Sequence, residues 1–149
     1  MKYLKLQQNL LKEALSSIKV KGYFFGTWEE KDLVGITEGH VIWLIPKTKF
    51  ILDTEKLKEL GVKELPVKKV FPLDHDLQAD GILTGDIRIS DGKEAVKLQG
   101  KKGHVWVNRA SLNEFDKDRT FKISKSTAPV FVYEKGELVG LILPIKMAE

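Results

Sequence analysis

Short apolar runs separated by glycine-containing turns constrain the fold of this chain most strongly. Asp91-Gly92 and Glu38-Gly39 each link two such runs, and glycine supplies the positive φ that a tight hairpin turn needs. This arrangement predicts antiparallel strands. The predicted strands cover residues 23–27, 33–37, 41–45, 82–90, 94–98, 104–107, 121–124, 129–133 and 138–143.

Three segments have the sequence pattern of helices. In residues 6–18, one face of a 3.6-residue period is apolar and the other is polar. The residues of the apolar face are Leu11, Ala14, Leu15 and Ile18. Asp53 or Thr54 can cap the helix at residues 54–60, and Asn108 can cap the helix at residues 109–115. The side-chain oxygen of such a residue accepts hydrogen bonds from the free N–H groups of the first turn.

These elements together predict a single α+β domain over residues 1–149. Its first half covers about residues 1–64, and its second half covers about residues 82–149. Residues 65–81 contain two prolines and a polar loop, so they are interpreted as the connector between the halves.

An internal sequence similarity, called the internal echo below, suggests that the two halves are related. Leu33-Val34-Gly35-Ile36 in the first half corresponds to Leu138-Val139-Gly140-Leu141 in the second. Each segment follows a predicted helix and an aromatic-rich strand. The matching order favours a duplicated β-α-β-β-β unit, with two helices packed on an antiparallel sheet.

Composition limits the chemistry and the compartment of the protein. The chain has no cysteine, which excludes disulfides, thiolate metal sites and cysteine nucleophiles. It has 25 basic and 21 acidic residues, and the resulting net charge of +4 permits contact with nucleic acid without requiring it. No run is apolar enough for a signal peptide or a membrane span. We therefore expect a cytoplasmic protein with no membrane partner.

The residues that could perform catalysis are scattered. His40, His75 and His104 are far apart, and no serine lies in a G-x-S-x-G motif. Asp74-His75-Asp76 is the one candidate metal-binding loop, although polar loops commonly contain these residue types. Because no nucleophile, base and orienting group can be assembled, we expect no catalytic residue, metal or cofactor.

Basic residues on the predicted helices are candidate DNA contacts. Lys5 and Lys12 can line one side of the first helix, and Arg109 lies on the last. Helices that present such side chains bind the phosphate backbone without reading bases. The acidic residues Glu114 and Asp116 near the last helix favour an ordinary solvated face there.

The end of the sequence resembles one family. Residues 107–112 (VNRASL) open the last helix, residues 126–132 (STAPVFV) form a strand, and residues 141–147 (LILPIKM) follow a glycine turn. This order resembles the last module of bacterial DNA sliding clamps, the β subunit of DNA polymerase III. That family ends on an apolar-Met-Pro-Met-Arg-Leu strand, whose place Leu143-Pro144-Ile145-Lys146-Met147 takes with the basic residue in register. Residues 10–15 (LLKEAL) are similar to the leading clamp helix.

A second matching segment lies in the first half. Residues 36–42 (ITEGHVI) are similar to the A-T-D-G-H-R-L segment of the clamps. Thr37, Gly39 and His40 match, whereas Val41 stands where the family has arginine.

The resemblance implies a fold, partners and a binding pocket. A clamp module is a pair of β-α-β-β-β units whose helices face duplex DNA, and six modules form a ring. In the family, the two matched segments come from neighbouring modules and line a hydrophobic pocket for short peptides. Here a pocket of this kind would form across a head-to-tail contact between two copies. Its residues would be Thr37, Gly39, His40, Leu143, Pro144 and Ile145.

The expected function is that of a non-enzymatic, clamp-like binding protein, encoded by a phage or a mobile element. It would act in DNA replication or repair through peptides of polymerases or repair proteins, through duplex DNA and as a homo-oligomer. Two alternatives remain open. One is a protein-interaction module of the same fold without DNA binding, and the other is a small metal-dependent enzyme that uses Asp74-His75-Asp76.

Overall fold

A computed structural model describes residues 1–16, 23–71, 79–101, 103–123 and 128–147. The protein is α+β, and it divides into two compact units, Met1–Phe71 and Pro72–Glu149. The boundary between the units falls inside the predicted connector. The loop Asp74-His75-Asp76 lies outside the described residues.

The first unit combines helices with a small sheet. Its strands lie in the order β4-β1-β2-β3, in which β1–β2 and β2–β3 are antiparallel. The short β4 runs parallel to β1, so the prediction of a purely antiparallel sheet is wrong here. The elements are α1 (Tyr3–Ala14), β1 (Phe24–Trp28), β2 (Leu33–Thr37), β3 (Val41–Pro46), α2 (Thr54–Glu59), β4 (Lys63–Glu64) and α3 (Val67–Val70).

The helix α1 begins three residues before its predicted start and ends at Ala14, so the predicted extension toward residue 18 is wrong at residues 15–16. Residues 17–18 lie outside the described residues. Leu6, Leu10 and Ala14 are buried on one face of this helix. The predicted face is therefore wrong in part, because Leu15 is 64% exposed and of the predicted residues only Ala14 is buried among the described ones. Gln7 is also buried, at 1% exposure. Its side-chain oxygen accepts from the main-chain N–H of Ile51 at 2.7 Å.

A pair of glycines makes room for the segment that follows β4. Gly26 and Gly35 lie opposite each other on β1 and β2. A β-carbon at Gly26 would lie 2.0 Å from the carbonyl oxygen of Leu65, and one at Gly35 would lie 2.8 Å from Val67 Cγ2. Val67, which is fully buried, therefore occupies a notch that only two facing glycines leave open.

The second unit is built almost entirely of antiparallel strands in the order β7-β6-β5-β8-β9-β10. The main-chain N–H of Ile145 donates to the carbonyl oxygen of Trp106 at 2.7 Å. This bond brings the segment after β10 to β7, at the other end of the strand order. The strands are β5 (Ala79–Ser90), β6 (Lys93–Gly100), β7 (Gly103–Asn108), β8 (Thr120–Ile123), β9 (Val130–Glu134) and β10 (Glu137–Ile142).

The predicted α-helix at residues 109–115 is wrong in type and length. The structure has a 3-10 helix at Arg109–Leu112, and Asn108 caps it by accepting from the N–H of Ala110. The N–H of Asp116 donates instead to the Glu134 carboxylate at 2.6 Å, so the chain leaves the helical path toward β9. Among the described residues, α-helices thus occur in the first unit only.

The internal echo falls at equivalent places in two hairpins. Leu33-Val34-Gly35 lies in the second strand of the β1–β2 hairpin, and Leu138-Val139-Gly140 lies in the second strand of the β9–β10 hairpin. Asp32, directly before β2, has positive φ, and so do the two residues before β10, Lys135 and Gly136. The hairpins differ in one respect, because the register of β10 shifts between Leu138 and Gly140.

None of the helices in the described part of the chain combines the length and the apolar character that crossing a bilayer requires.

Candidate binding surfaces

The turn between β2 and β3 carries the first group of predicted pocket residues. Thr37 is 5% exposed, and its hydroxyl oxygen accepts from the N–H of Gly39 at 2.9 Å. The carboxylate of Glu38 accepts from the N–H groups of His40 and Val41, at 2.9 and 3.1 Å. Gly39 has a φ of 110°, as its role in the predicted hairpin link requires. Three side-chain bonds thus hold the main chain of this turn.

The same turn leaves the imidazole of His40 exposed to solvent. Its main-chain N–H is engaged with Glu38, so the ring is presented from a fixed point. An imidazole can donate from one ring nitrogen and accept at the other. This side chain can therefore form hydrogen bonds to a ligand without rearrangement of the turn.

The second group of predicted pocket residues follows β10. Leu143 is 41% exposed, whereas Pro144 and Ile145 are half-buried. Pro144 has no N–H to donate, which is consistent with the end of β10 at Ile142. The bond from the N–H of Ile145 to Trp106 then fixes the segment, with the Leu143 side chain outside.

The six predicted pocket residues thus form two groups, one in each unit. Thr37, Gly39 and His40 share one turn of the first unit. Leu143, Pro144 and Ile145 share one extended segment of the second. In the first group, side-chain oxygens accept from the main-chain N–H groups of the turn, and in the second the N–H of Ile145 donates to Trp106. Each group exposes one large side chain.

The predicted DNA contacts of α1 lie on its exposed side. Lys5 and Lys12 are seven residues apart, which is two helical turns, and both are exposed. The sequence of the first unit has 13 basic and nine acidic residues, against 12 of each in the second unit. The net positive charge of the protein therefore belongs to the unit that contains α1.

Arg109, the third predicted DNA contact, already has a carboxylate partner. Its Nη1 donates to Glu94 Oε2 at 2.8 Å, and the two side chains are 53% and 50% exposed. An exposed pair of this kind is worth no more than about 1 kcal/mol, so a phosphate can replace Glu94. The carboxylate nevertheless cancels the positive charge that the sequence assigned to this position.

Two ion pairs connect the residues that follow β1 to other segments of the first unit. A hydrogen bond from Lys47 lowers the pKa of the Glu29 carboxyl, and one from Lys68 lowers the pKa of Glu30. These pairs join the 3-10 helix at Glu29–Lys31 to the chain after β3 and to α3. Within the described ranges, no three His, Asp or Glu side chains are grouped as a metal site requires.

The outer edge of β5 is a surface that sequence reasoning missed. The partial alternation of residues 82–90 predicts one buried face, yet every side chain from Ile82 to Ile89 is exposed. The large apolar ones are Ile82 (70% exposed), Leu83 (42%), Ile87 (48%) and Ile89 (67%). The signal in the sequence is Gly85, because a glycine inside a strand often marks a bulge. Its φ is 86°, and the register to β6 shifts there.

Comparison with profiles of known protein families, with curated proteins and with solved structures finds no match to this chain.

Proposed function

We propose that this chain is a non-enzymatic, clamp-like binding protein that captures short peptides of proteins involved in DNA replication or repair. The observation that supports this best is the turn from Thr37 to Val41. Its main chain is held by three side-chain hydrogen bonds, while His40 stays exposed. A surface that is ordered before binding loses little entropy when a peptide docks.

Leu143 would supply the apolar part of the peptide site. Short peptides are commonly held by one or two apolar anchors beside a few polar contacts. In the sliding clamps that this sequence resembles, the two segments come from neighbouring modules. A head-to-tail contact between copies would therefore complete the pocket. The proposal includes the clamp fold. The second repeat of that fold would have the 3-10 helix at Arg109–Leu112 in place of an α-helix.

Duplex DNA is a second candidate ligand, which the charge distribution favours. The first unit has an excess of four positive charges, and Lys5 and Lys12 share the exposed side of α1. The ion pair between Arg109 and Glu94 weakens the corresponding argument for the second unit. Peptide capture is thus the primary proposal, and DNA contact through α1 is an addition to it.

Fluorescence anisotropy with a set of labelled short peptides tests the primary proposal. Each peptide carries two neighbouring apolar anchors, and a scrambled peptide of the same composition is the reference. We expect Leu143→Ser and His40→Ala each to weaken binding about tenfold, because each removes a contact worth about 1.4 kcal/mol. Leu60→Ser is a matched control, since Leu60 is 39% exposed and follows α2, outside both groups of predicted pocket residues.

Two outcomes of the peptide-binding experiment would contradict the proposal. Equal binding of the ordered and scrambled peptides contradicts the proposal, and so does an equal loss in Leu143→Ser and Leu60→Ser. Circular dichroism of each variant, compared with that of the unmodified chain, separates loss of a contact from loss of the fold.

A further inference from the structure

One edge of β5 pairs with β6, and most of its other edge has no neighbour among the described strands. Its first residues, Ala79–Gly81, pair with β8, and from Ile82 to Ser90 it pairs with β6 alone among the described strands. An open edge of this length with four exposed apolar side chains is a template for another strand.

The hairpin turn determines which backbone groups face outward. Asp91 and Gly92 both have positive φ, as in a two-residue type I′ turn. The flanking residues Ser90 and Lys93 are then the hydrogen-bonded pair of the hairpin. Because bonded and non-bonded positions alternate along an antiparallel ladder, the N–H and C=O groups of Ile87 and Ile89 point away from β6.

The side chains of this edge fall into a polar and an apolar group. Arg88 lies opposite Ala95. Its Cζ atom lies over the Trp106 ring, 4.9 Å from the ring centroid. Asp86 lies 3.9 Å from Lys97, which is on the same face of β6 as Ala95. Ile87 and Ile89 point to the opposite face of the sheet, because successive side chains alternate.

We propose that β5 pairs with β5 of a second copy of this chain, antiparallel and about a two-fold axis at Ile87. In this register Asp86 of each copy lies opposite Arg88 of the other, so two ion pairs form on one face. On the other face Ile87 meets its own symmetry mate. Ile89 falls opposite the bulge at Gly85, where no side chain obstructs it. Shifting the register by one residue to either side places no acidic residue opposite Arg88.

This contact is isologous, and it is independent of the peptide site proposed above. A single strand pair is a small interface, so the dissociation constant is expected to be on the order of 100 µM. Analytical ultracentrifugation of the full chain from ten to several hundred micromolar measures it. A chain that stays monomeric over this range overturns the proposal.

Charge reversal tests the register. Asp86→Arg places arginine opposite Arg88, and Arg88→Asp places aspartate opposite Asp86. We expect each single change to weaken dimerisation at least tenfold, and we expect the double change to restore it to within about threefold. A double variant that associates no better than the singles overturns the register.

Cysteine cross-linking provides a second test, since the chain has no thiol of its own. The Cα atoms of directly opposite residues lie about 5.5 Å apart, within disulfide range. With diamide as oxidant, Ile87→Cys should cross-link at least tenfold faster than Ile89→Cys, whose symmetry mate is about 13 Å away. Ile51→Cys, at an exposed isoleucine of the first unit, is the control. Equal rates at the three positions contradict the proposal.

Discussion

The side-chain amide nitrogen of Gln7 donates to the main-chain carbonyl oxygen of Lys49 at 2.9 Å. The same amide donates to the carbonyl oxygen of Tyr3 at 3.1 Å, and its oxygen accepts from the N–H of Ile51. One buried side chain thus ties α1 to a segment more than 40 residues away.

Replacing Gln7 with leucine should lower the free energy of unfolding by about 2 kcal/mol. Leucine fills a similar volume but leaves the Ile51 N–H and the Lys49 carbonyl without their partner. Urea denaturation measures the change. The neighbouring Gln8 is exposed, and Gln8→Leu should change stability by less than about 0.5 kcal/mol. Equal effects at the two positions would show that Gln7 does not anchor the helix.

The facing glycines of β1 and β2 should differ in their tolerance of alanine. Gly26→Ala should cost about 3 kcal/mol or more, because its β-carbon would meet the Leu65 carbonyl oxygen at 2.0 Å. Gly35→Ala should cost less, since the nearest atom is a methyl group of Val67 at 2.8 Å. A β-carbon at Gly61 would meet no atom within 4 Å, but the φ of this residue is 94°. Gly61→Ala should therefore lower the free energy of unfolding by about 1 kcal/mol through backbone strain alone.

A double-mutant cycle can isolate the contact between Gly35 and Val67. Val67→Ala removes the methyl groups that a β-carbon at Gly35 would touch, so the double variant should be less destabilised than the sum of the two single changes. The corresponding cycle with Gly26 should be closer to additive, because its main obstacle is a backbone oxygen. Additivity in both cycles would contradict this geometry.

The stability of the first unit should depend on pH through Glu29 and Glu30. Each carboxyl has a pKa lowered by hydrogen bonding to a lysine, so the charged form is favoured in the folded state. This stabilisation is present above the ordinary glutamate pKa. It is lost as the pH falls through the lowered pKa of the folded protein. Urea midpoints should therefore decline in acid, and Glu29→Gln and Glu30→Gln should each reduce the slope. Both groups are exposed, so each contribution should diminish in salt.

The ion pair between Arg109 and Glu94 predicts that removing the carboxylate strengthens binding to DNA. Glu94→Gln removes the carboxylate partner, so it should strengthen binding to duplex DNA if Arg109 faces the phosphates. Lys5→Gln together with Lys12→Gln should reduce the slope of log K against log salt by about 1.8, or 0.9 for each contact. Lys56→Gln is a control, because Lys56 is exposed on a different helix, α2.

The DNA measurement distinguishes the two candidate ligands. An unchanged salt slope in the Lys5 and Lys12 double variant would rule out phosphate contact through α1. Peptide binding that persists in the same variant would leave a protein-interaction module without a DNA partner.

The sequence alone determined the features that depend on a few neighbouring residues. The bounds of β2 were predicted to the residue, and α2 was predicted to within one residue. The caps Asp53 and Asn108 accept the expected N–H donors, and Gly39 and Gly92 have the expected positive φ. Caps and turns follow from the chemistry of adjacent groups, and such chemistry is visible in the order of the residues.

Contacts between distant residues decided the rest. The bond from Asp116 to Glu134 ends the helix that Asn108 starts, and the facing glycines admit Val67 to the sheet. The exposure of Ile87 and Ile89 also depends on structure, because strand periodicity fixes which side chains share a face but not whether anything covers it. The sequence thus predicted the turn between β2 and β3, whereas only the tertiary structure revealed the edge of β5 that is open among the described strands. An edge exists only when a strand has a neighbour on one side and none on the other.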